Sequence, residues 1–236
     1  KNNTQEFSKY PLKIFTIDIE TYSPEAFPEP SIAVDPINLI TVHDSLTNTY
    51  HTWGLDKEYI SDKENVFYYQ CKSESDLLYK FINFWKGDYP DLVTGWNIIG
   101  FDIPYLINRI TKLLNEDDAK LLSPLNDIYK RDDVINQFGK STTRWHIRGI
   151  SIIDYMDAYI TFSREKRENY KLDYIGEIEL GTGKISFNAT SLSELADTNW
   201  TQFVEYNIQD TRIVVQLEEK LQFLMLVRML AYLGLT

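Results

Sequence analysis

From Leu12 to Glu20 both alternating faces are apolar until the segment meets Asp18 and Glu20, the pattern of a central strand covered by layers on both sides. Ile37 to Asp44, Thr47 to Leu55 and Val66 to Cys71 repeat strand character, the first two joined near Thr47 and Asn48, and together they predict a meander. Leu77, Leu78, Phe81 and Trp85 then recur at helical spacing behind Ser73 and Asp76, a start resembling a capping box, so Ser73 to Trp85 is predicted to be a helix. Asp91 to Asn97 reads as a short strand, and Pro104 as the opening of a second helix that runs to about Leu114.

The periodicity weakens from Ser123 to Thr143, where charged and polar residues surround Gly139 and a loop or exposed hairpin is expected. Strand character returns from Trp145 to Ile153, followed by a helix from about Asp154 and another around Leu172 to Ile178. A long helix starting near Thr198 closes the chain, with Phe203, Tyr206, Asp210, Val214, Leu217, Leu221 and Leu224 on one stripe. No repeat, low-complexity tract or flexible linker interrupts this order, so residues 1–236 are expected to form a single domain. Strands first, then strands alternating with helices, predict an α/β sandwich built on a mixed central sheet flanked by helices.

Composition narrows the function. With 236 residues, 43% hydrophobic and 14% aromatic, the chain can bury a sizeable core. The net charge of -11 argues against affinity for nucleic acid through a diffuse basic surface, so any such contact has to be local. One cysteine, Cys71, excludes an internal disulfide and a cysteine zinc site and fits a reducing, cytoplasmic compartment. The most apolar run, Phe223 to Leu235, is 13 residues long and contains Arg228, short of the roughly 20 needed to span a bilayer. The chain starts at Lys1 and ends in that apolar run, which reads as a fragment of a longer polypeptide; a processed tag and a self-packed last helix are the alternative.

Three segments carry chemistry. Asp18 and Glu20, two apart on a strand, present carboxylates on one face at the strand's end, where two hard oxygen donors suit Mg²⁺ or Mn²⁺ and a solvated acidic tip is the alternative. Asn97 to Asp102 follows an apolar strand at the sheet edge where ligands gather; there Asp102 serves either a site or only a helix cap. In the last helix Tyr206 and Asp210 share a face, and Asp210 interrupts the apolar stripe, so it requires a basic partner or a metal ion. Four carboxylates and one tyrosine from distant segments form a set able to hold two divalent ions for in-line displacement at phosphorus.

In that order Asp18-Ile-Glu20, Asn97 to Asp102 and Tyr206-Asn-Ile-Gln-Asp210 resemble the three exonuclease motifs of the DEDD superfamily, in its tyrosine-bearing branch. Phe27-Pro-Glu-Pro, Thr94-Gly-Trp-Asn97, Phe101-Asp-Ile-Pro-Tyr105 and Leu172-Asp-Tyr-Ile175 extend the likeness to the proofreading domain of family B DNA polymerases of T-even-type phages, over nearly the whole chain. The resemblance implies a ribonuclease H-like fold and hydrolysis of the 3′-terminal nucleotide of single-stranded or frayed DNA. It implies Asp18, Glu20, Asp102 and Asp210 as ligands of two Mg²⁺ or Mn²⁺ ions, and Tyr206 as the residue positioning the nucleophile. It also implies a substrate contact for Lys171, beside Tyr174, although an exposed lysine at a helix start needs no such role. The family's polymerase motifs and its preceding amino-terminal domain are absent, so the rest of a polymerase is the expected partner. Residues Ser123 to Thr143 fall where the phage family carries a hairpin.

For substrate binding, Phe101 and Asn97 lie next to Asp102, and Tyr105 and Trp96 are further aromatics for stacking on an unpaired base. Arg144, His146, Arg148, Arg164, Lys166, Arg167 and Lys171 are the local positive residues available to phosphates, though solvated cations need no ligand. Competing functions are a stand-alone nuclease acting on RNA or oligonucleotides, a non-catalytic nucleic-acid-binding remnant, and an interaction domain using the apolar end.

Overall fold

The structure is a computed structural model and describes residues 11–24, 27–133, 142–181 and 189–234. A six-stranded mixed sheet has the order β4-β3-β2-β1-β5-β8. Its strands are β1 (Ile14–Thr21), β2 (Ile37–Asp44), β3 (Thr49–Leu55), β4 (Val66–Cys71), β5 (Leu92–Gly95) and β8 (Ser151–Asp154). β1 is central, antiparallel to β2 and parallel to β5. The predicted meander stops at β3, because β4 runs parallel to it. The intervening segment crosses the sheet face with Tyr59 buried beside Tyr50, Trp200 and Phe203, which returns the chain to the end where β3 began.

Alternation along β1 divides the molecule. Phe15, Ile17 and Ile19 join Trp53, Phe81, Trp85, Leu106 and Ile110 in a core on one face, built with α1 (Glu74–Gly87) and α2 (Asp102–Leu113). Thr16, Asp18 and Glu20 face the other way, toward α7 (Trp200–Leu221). That second face is closed by α4 (Tyr155–Phe162), α5 (Leu172–Leu180), α6 (Leu192–Thr198), α7 and α8 (Phe223–Gly234), around Tyr155, Tyr159, Val214 and Leu217 in one cluster and Leu39, Phe203 and Ile208 in another. A short α3 (Glu116–Lys120) follows α2.

Several expectations are corrected. At α1, Ser73 accepts from the Asp76 N–H as a cap, but the Asp76 carboxylate reaches the N–H of Lys72 rather than of Ser73. Helix α2 begins at Asp102, with Pro104 in its first turn, where a missing N–H costs no helical bond. The expected strand Trp145 to Ile153 is two strands separated by a turn with Gly149 at φ +89. Its first half belongs to a separate antiparallel ribbon of β6 (Ile128–Asp133) and β7 (Thr142–Ile147); of the weakly patterned region, residues 134–141 lie outside the described ones.

The closing helix is likewise two. Gln222 adopts a left-handed conformation at φ 55, and Glu218 accepts the N–H groups of Leu224 and Met225, so the first free donors of α8 are capped from within α7. Helix α6 was not anticipated, yet Ser191 and Glu194 spell its start: Ser191 accepts from the N–H of Glu194, and Glu194 from that of Thr190. No helix among the described residues is long and apolar enough to cross a membrane.

Candidate active site

Where β1 ends, α7 crosses above it, and α2 begins beside it. Asp18, Glu20 and Asp210 each offer a carboxylate oxygen, and these atoms all lie within 4.8 Å of one another. Asp102 joins them through the backbone. β5 stops pairing with β1 at Thr94, opposite Thr16; further along that side of β1 the buried Asp102 carboxylate accepts the N–H of Ile19 at 3.0 Å. The capping alternative for Asp102 does not hold, since Phe101 occupies the cap position and makes no side-chain cap bond.

Desolvation and mutual repulsion dominate the electrostatics. Burial, followed by the charges of Asp102, Glu20 and Asp210, pushes Asp18 well above the usual carboxylate range; a hydrogen bond from Asn207 acts in the opposite direction. Burial raises Asp102 to about 7, with the Ile19 N–H pulling it down. Tyr206 is buried four residues before Asp210, and desolvation, then Asp210 and Glu20, raise its pKa, so its hydroxyl stays protonated. An all-oxygen, mutually repelling, desolvated set fits a hard divalent cation, which would relieve each of these penalties.

The turn from β5 to α2 depends on glycine and on a residue the sequence did not single out. A Cβ on Gly95 would lie 2.4 Å from the carbonyl oxygen of Ile17, so β5 approaches β1 only without one. Asp154, buried at the end of β8, accepts the N–H groups of Asn97 and Ile99 at 3.0 Å each and also caps α4. Asn97 is thereby held at φ 62.

A cleft of about 410 Å³ contains Asp18, Glu20 and Asp102 with Trp96, Asn97, Phe101 and Phe27. Phe27 also escaped the sequence reading, although its place in Phe27-Pro-Glu-Pro was noted. Its ring is 82% exposed and packs on Phe101 at 5.6 Å, while Phe101 is half-buried. Tyr105 is excluded as a stacking residue: it is fully buried and donates to the carbonyl of Asp35. Trp96 lines the cleft and donates to the Tyr170 carbonyl at 2.9 Å.

Asn97 also lines an adjoining cleft with Lys130, Arg144 and Trp145 of the β6-β7 ribbon. Among the candidate arginines, Arg144 is ion-paired with Asp157 of the same cleft, Arg148 with Asp127, and Arg167 with Glu165 and Glu179. His146 stacks on Tyr129, and Arg164 and Lys166 are exposed between α4 and α5. Lys171 is exposed at the start of α5 and is not among the residues lining either cleft, although Asp173 of the same turn is near enough to raise the pKa of Tyr206.

The profile of the exonuclease domain of DNA polymerase family B matches residues 1–175. The DNA-directed DNA polymerase of Escherichia phage RB69 is 33% identical over 90% of this chain and 26% of its own length; that of Enterobacteria phage T4 is 28% identical over 94% and 27%. The DNA polymerase catalytic subunit of human herpesvirus 7 is 32% identical over 68% of this chain and 16% of its own. The chain spans about a quarter of the length of the phage relatives.

Proposed function

Because the chain belongs to the exonuclease domains of family B DNA polymerases, we propose that it is a single 3′→5′ exonuclease domain that removes nucleotides from single-stranded or frayed DNA ends, the proofreading part of a replicative polymerase. The observation that carries this reading is the convergence of Asp18, Glu20 and Asp210 within 4.8 Å, with Asp102 hydrogen-bonded to the residue next to Asp18. Asp18, Glu20, Asp102 and Asp210 would hold two divalent ions, Mg²⁺ or Mn²⁺. When bound, these supply a water of lowered pKa and neutralise the departing oxygen of an in-line displacement at phosphorus.

The chain's own groups do the rest. Tyr206, kept protonated by its surroundings, donates a hydrogen bond that orients the attacking water. Phe27 and Phe101 offer an aromatic pair for the unpaired terminal bases, and Asn97, held at positive φ beside them, a polar contact. Arg144 and Lys130, in the adjoining cleft, supply local positive charge, and Lys171 stands at the α5 end as a further contact for phosphate. The remainder of a polymerase chain is its partner, and the host cytoplasm its place of action.

The test is digestion of a 5′-labelled single-stranded DNA with Mg²⁺ or Mn²⁺, beside an EDTA control, an Asp18→Ala/Glu20→Ala variant and a matched RNA strand. A ladder shortening from the 3′ end, lost in both controls and faster on DNA, supports the proposal. Preference for RNA favours a stand-alone nuclease. No degradation at high protein concentration favours a binding remnant.

A further inference from the structure

Thr52, Thr41 and Asp18 lie in one row across three adjacent strands: Thr41 is paired with Thr52 in the β2-β3 register and with Asp18 in the β1-β2 register. All three point to the face covered by α7, and Asn207 of α7 lies over the row. Asn207, Thr41 and Thr52 are completely buried. The Asn207 carboxamide Nδ2 donates to Asp18 Oδ2 at 2.6 Å, its Oδ1 accepts from the Thr41 hydroxyl, and the Thr41 and Thr52 hydroxyl oxygens are 2.9 Å apart.

Donor counting gives this chain one direction. A threonine hydroxyl has a single proton, so Thr41, having donated to Asn207, must receive from Thr52. An ionised Asp18 only accepts, so the amide has to face it with nitrogen. A flipped amide would set its oxygen against the carboxylate, whereas with nitrogen toward Asp18 the amide oxygen is satisfied by the Thr41 hydroxyl. The row therefore holds the carboxamide in one of its two orientations. It engages Oδ2 of Asp18, whose carboxylate belongs to the cluster with Glu20 and Asp210.

We infer that Asn207, oriented by Thr41 and Thr52, is the positioning residue that fixes the Asp18 carboxylate for metal binding. This rests on the proposal that Asp18 is a metal ligand. Groups that hold a ligand's remaining atom commonly change metal affinity or activity by ~10–100-fold when removed, without touching metal or substrate. Asn207 adjoins Tyr206 in sequence but faces the sheet, so its effect should fall on the metal rather than on DNA.

Mn²⁺ binding to wild type, Asn207→Leu, Thr41→Val, Thr41→Ser and the Asn207→Leu/Thr41→Val pair, measured by calorimetry, tests this, with KM for single-stranded DNA read in parallel. Leu and Val keep the number and branching of the side-chain heavy atoms, and circular dichroism checks folding. Asn207→Leu is expected to weaken Mn²⁺ about 10-fold with KM unchanged. Thr41→Val should weaken it less, Thr41→Ser not at all, and the pair no more than Asn207→Leu alone. Wild-type affinity in a folded Thr41→Val or Asn207→Leu variant, or fully additive losses in the pair, overturns the positioning role and leaves the metal site standing. Absence of Mn²⁺ binding by the wild type itself overturns the metal site, and the positioning role with it.

Discussion

Asp102, the first residue of α2, accepts the backbone N–H of Ile19 at 3.0 Å, tying a helix start to the strand residue between Asp18 and Glu20. The carboxylate thus takes up a β1 N–H beyond the end of the β5 pairing while its charge acts on Asp18. Substitution separates the two roles. Asp102→Ala leaves the Ile19 N–H without an acceptor, a loss of about 1–3 kcal/mol in urea denaturation, and abolishes nuclease activity. Asp102→Asn keeps an acceptor and should restore most of the stability while activity stays lost. Equal stability of the two variants would show that the bond to Ile19 contributes nothing.

The same burial sets a pH dependence of opposite sign to that of a paired carboxylate. Asp102 titrates at about 7 in the metal-free fold, against 3.8 ordinarily, so between those values the folded chain holds a proton that the unfolded chain has released. Its contribution to stability is full below pH 3.8 and is lost as pH rises through about 7. Asp18, also raised, acts in the same direction. In EDTA, Asp102→Asn should therefore melt increasingly above wild type from pH 5 to pH 8, and Mg²⁺ at pH 8 should stabilise wild type but not the variant.

Tyr206 has its pKa raised by burial and by Asp210, so it works as a donor and never as an ionised base below pH 10. Tyr206→Phe should lower kcat on the order of 10²-fold, a typical effect of removing one well-placed donor. Mn²⁺ affinity should be unchanged, and the remaining activity should keep the wild-type pH profile. A shifted profile would assign Tyr206 a proton-transfer role instead.

Phe27 and Phe101 form an exposed-over-half-buried pair in the acidic cleft. Phe27→Ala and Phe101→Ala should each raise KM for single-stranded DNA by about 5- to 150-fold, the range of base-aromatic stacking energies of about 1–3 kcal/mol. The Phe27 substitution should leave thermal stability intact because that ring faces solvent. Unchanged kinetics in both would remove the stacking role.

Phe27 is followed by a segment that α2 holds down: Arg109 donates to the carbonyls of Ala33 and Val34, and forms a two-pronged pair with Glu74 at 2.7 and 2.6 Å. Both side chains are nearly buried. Arg109→Met leaves the Glu74 charge without its partner and should cost about 3–5 kcal/mol in urea denaturation, whereas Arg109→Met with Glu74→Leu should recover much of that. A double variant no more stable than the single one would mean that the carbonyl contacts dominate.

How far the sequence reached depended on the range of the interaction involved. The limits of β2 and β4 were legible because short runs of strand-forming residues are bounded by turn-forming ones, a local signal. Asp18 and Glu20 could be nominated because they share a strand face, Asp102 because it follows a strand at a sheet edge, and Asp210, with Tyr206 one turn before it, because a carboxylate in an apolar stripe is costly to bury. The resemblance to proofreading exonucleases then supplied the activity that spacing alone left open.

Only the tertiary structure decided what depends on partners distant in the chain. Periodicity ran straight through Gln222, since the break into α7 and α8 comes from the Glu218 side chain capping the second helix. The pairing of β1 with β5 ends at Thr16, so on that side of β1 the N–H of Ile19 meets Asp102; nothing near Asp102 in the sequence foretells that contact. The Asp154 clamp on Asn97, the exposure of Phe27 and the row from Thr52 to Asp18 join residues separated by up to 189 positions. The sequence determined which chemical groups were available and which faces they occupied, and packing alone determined which of them met.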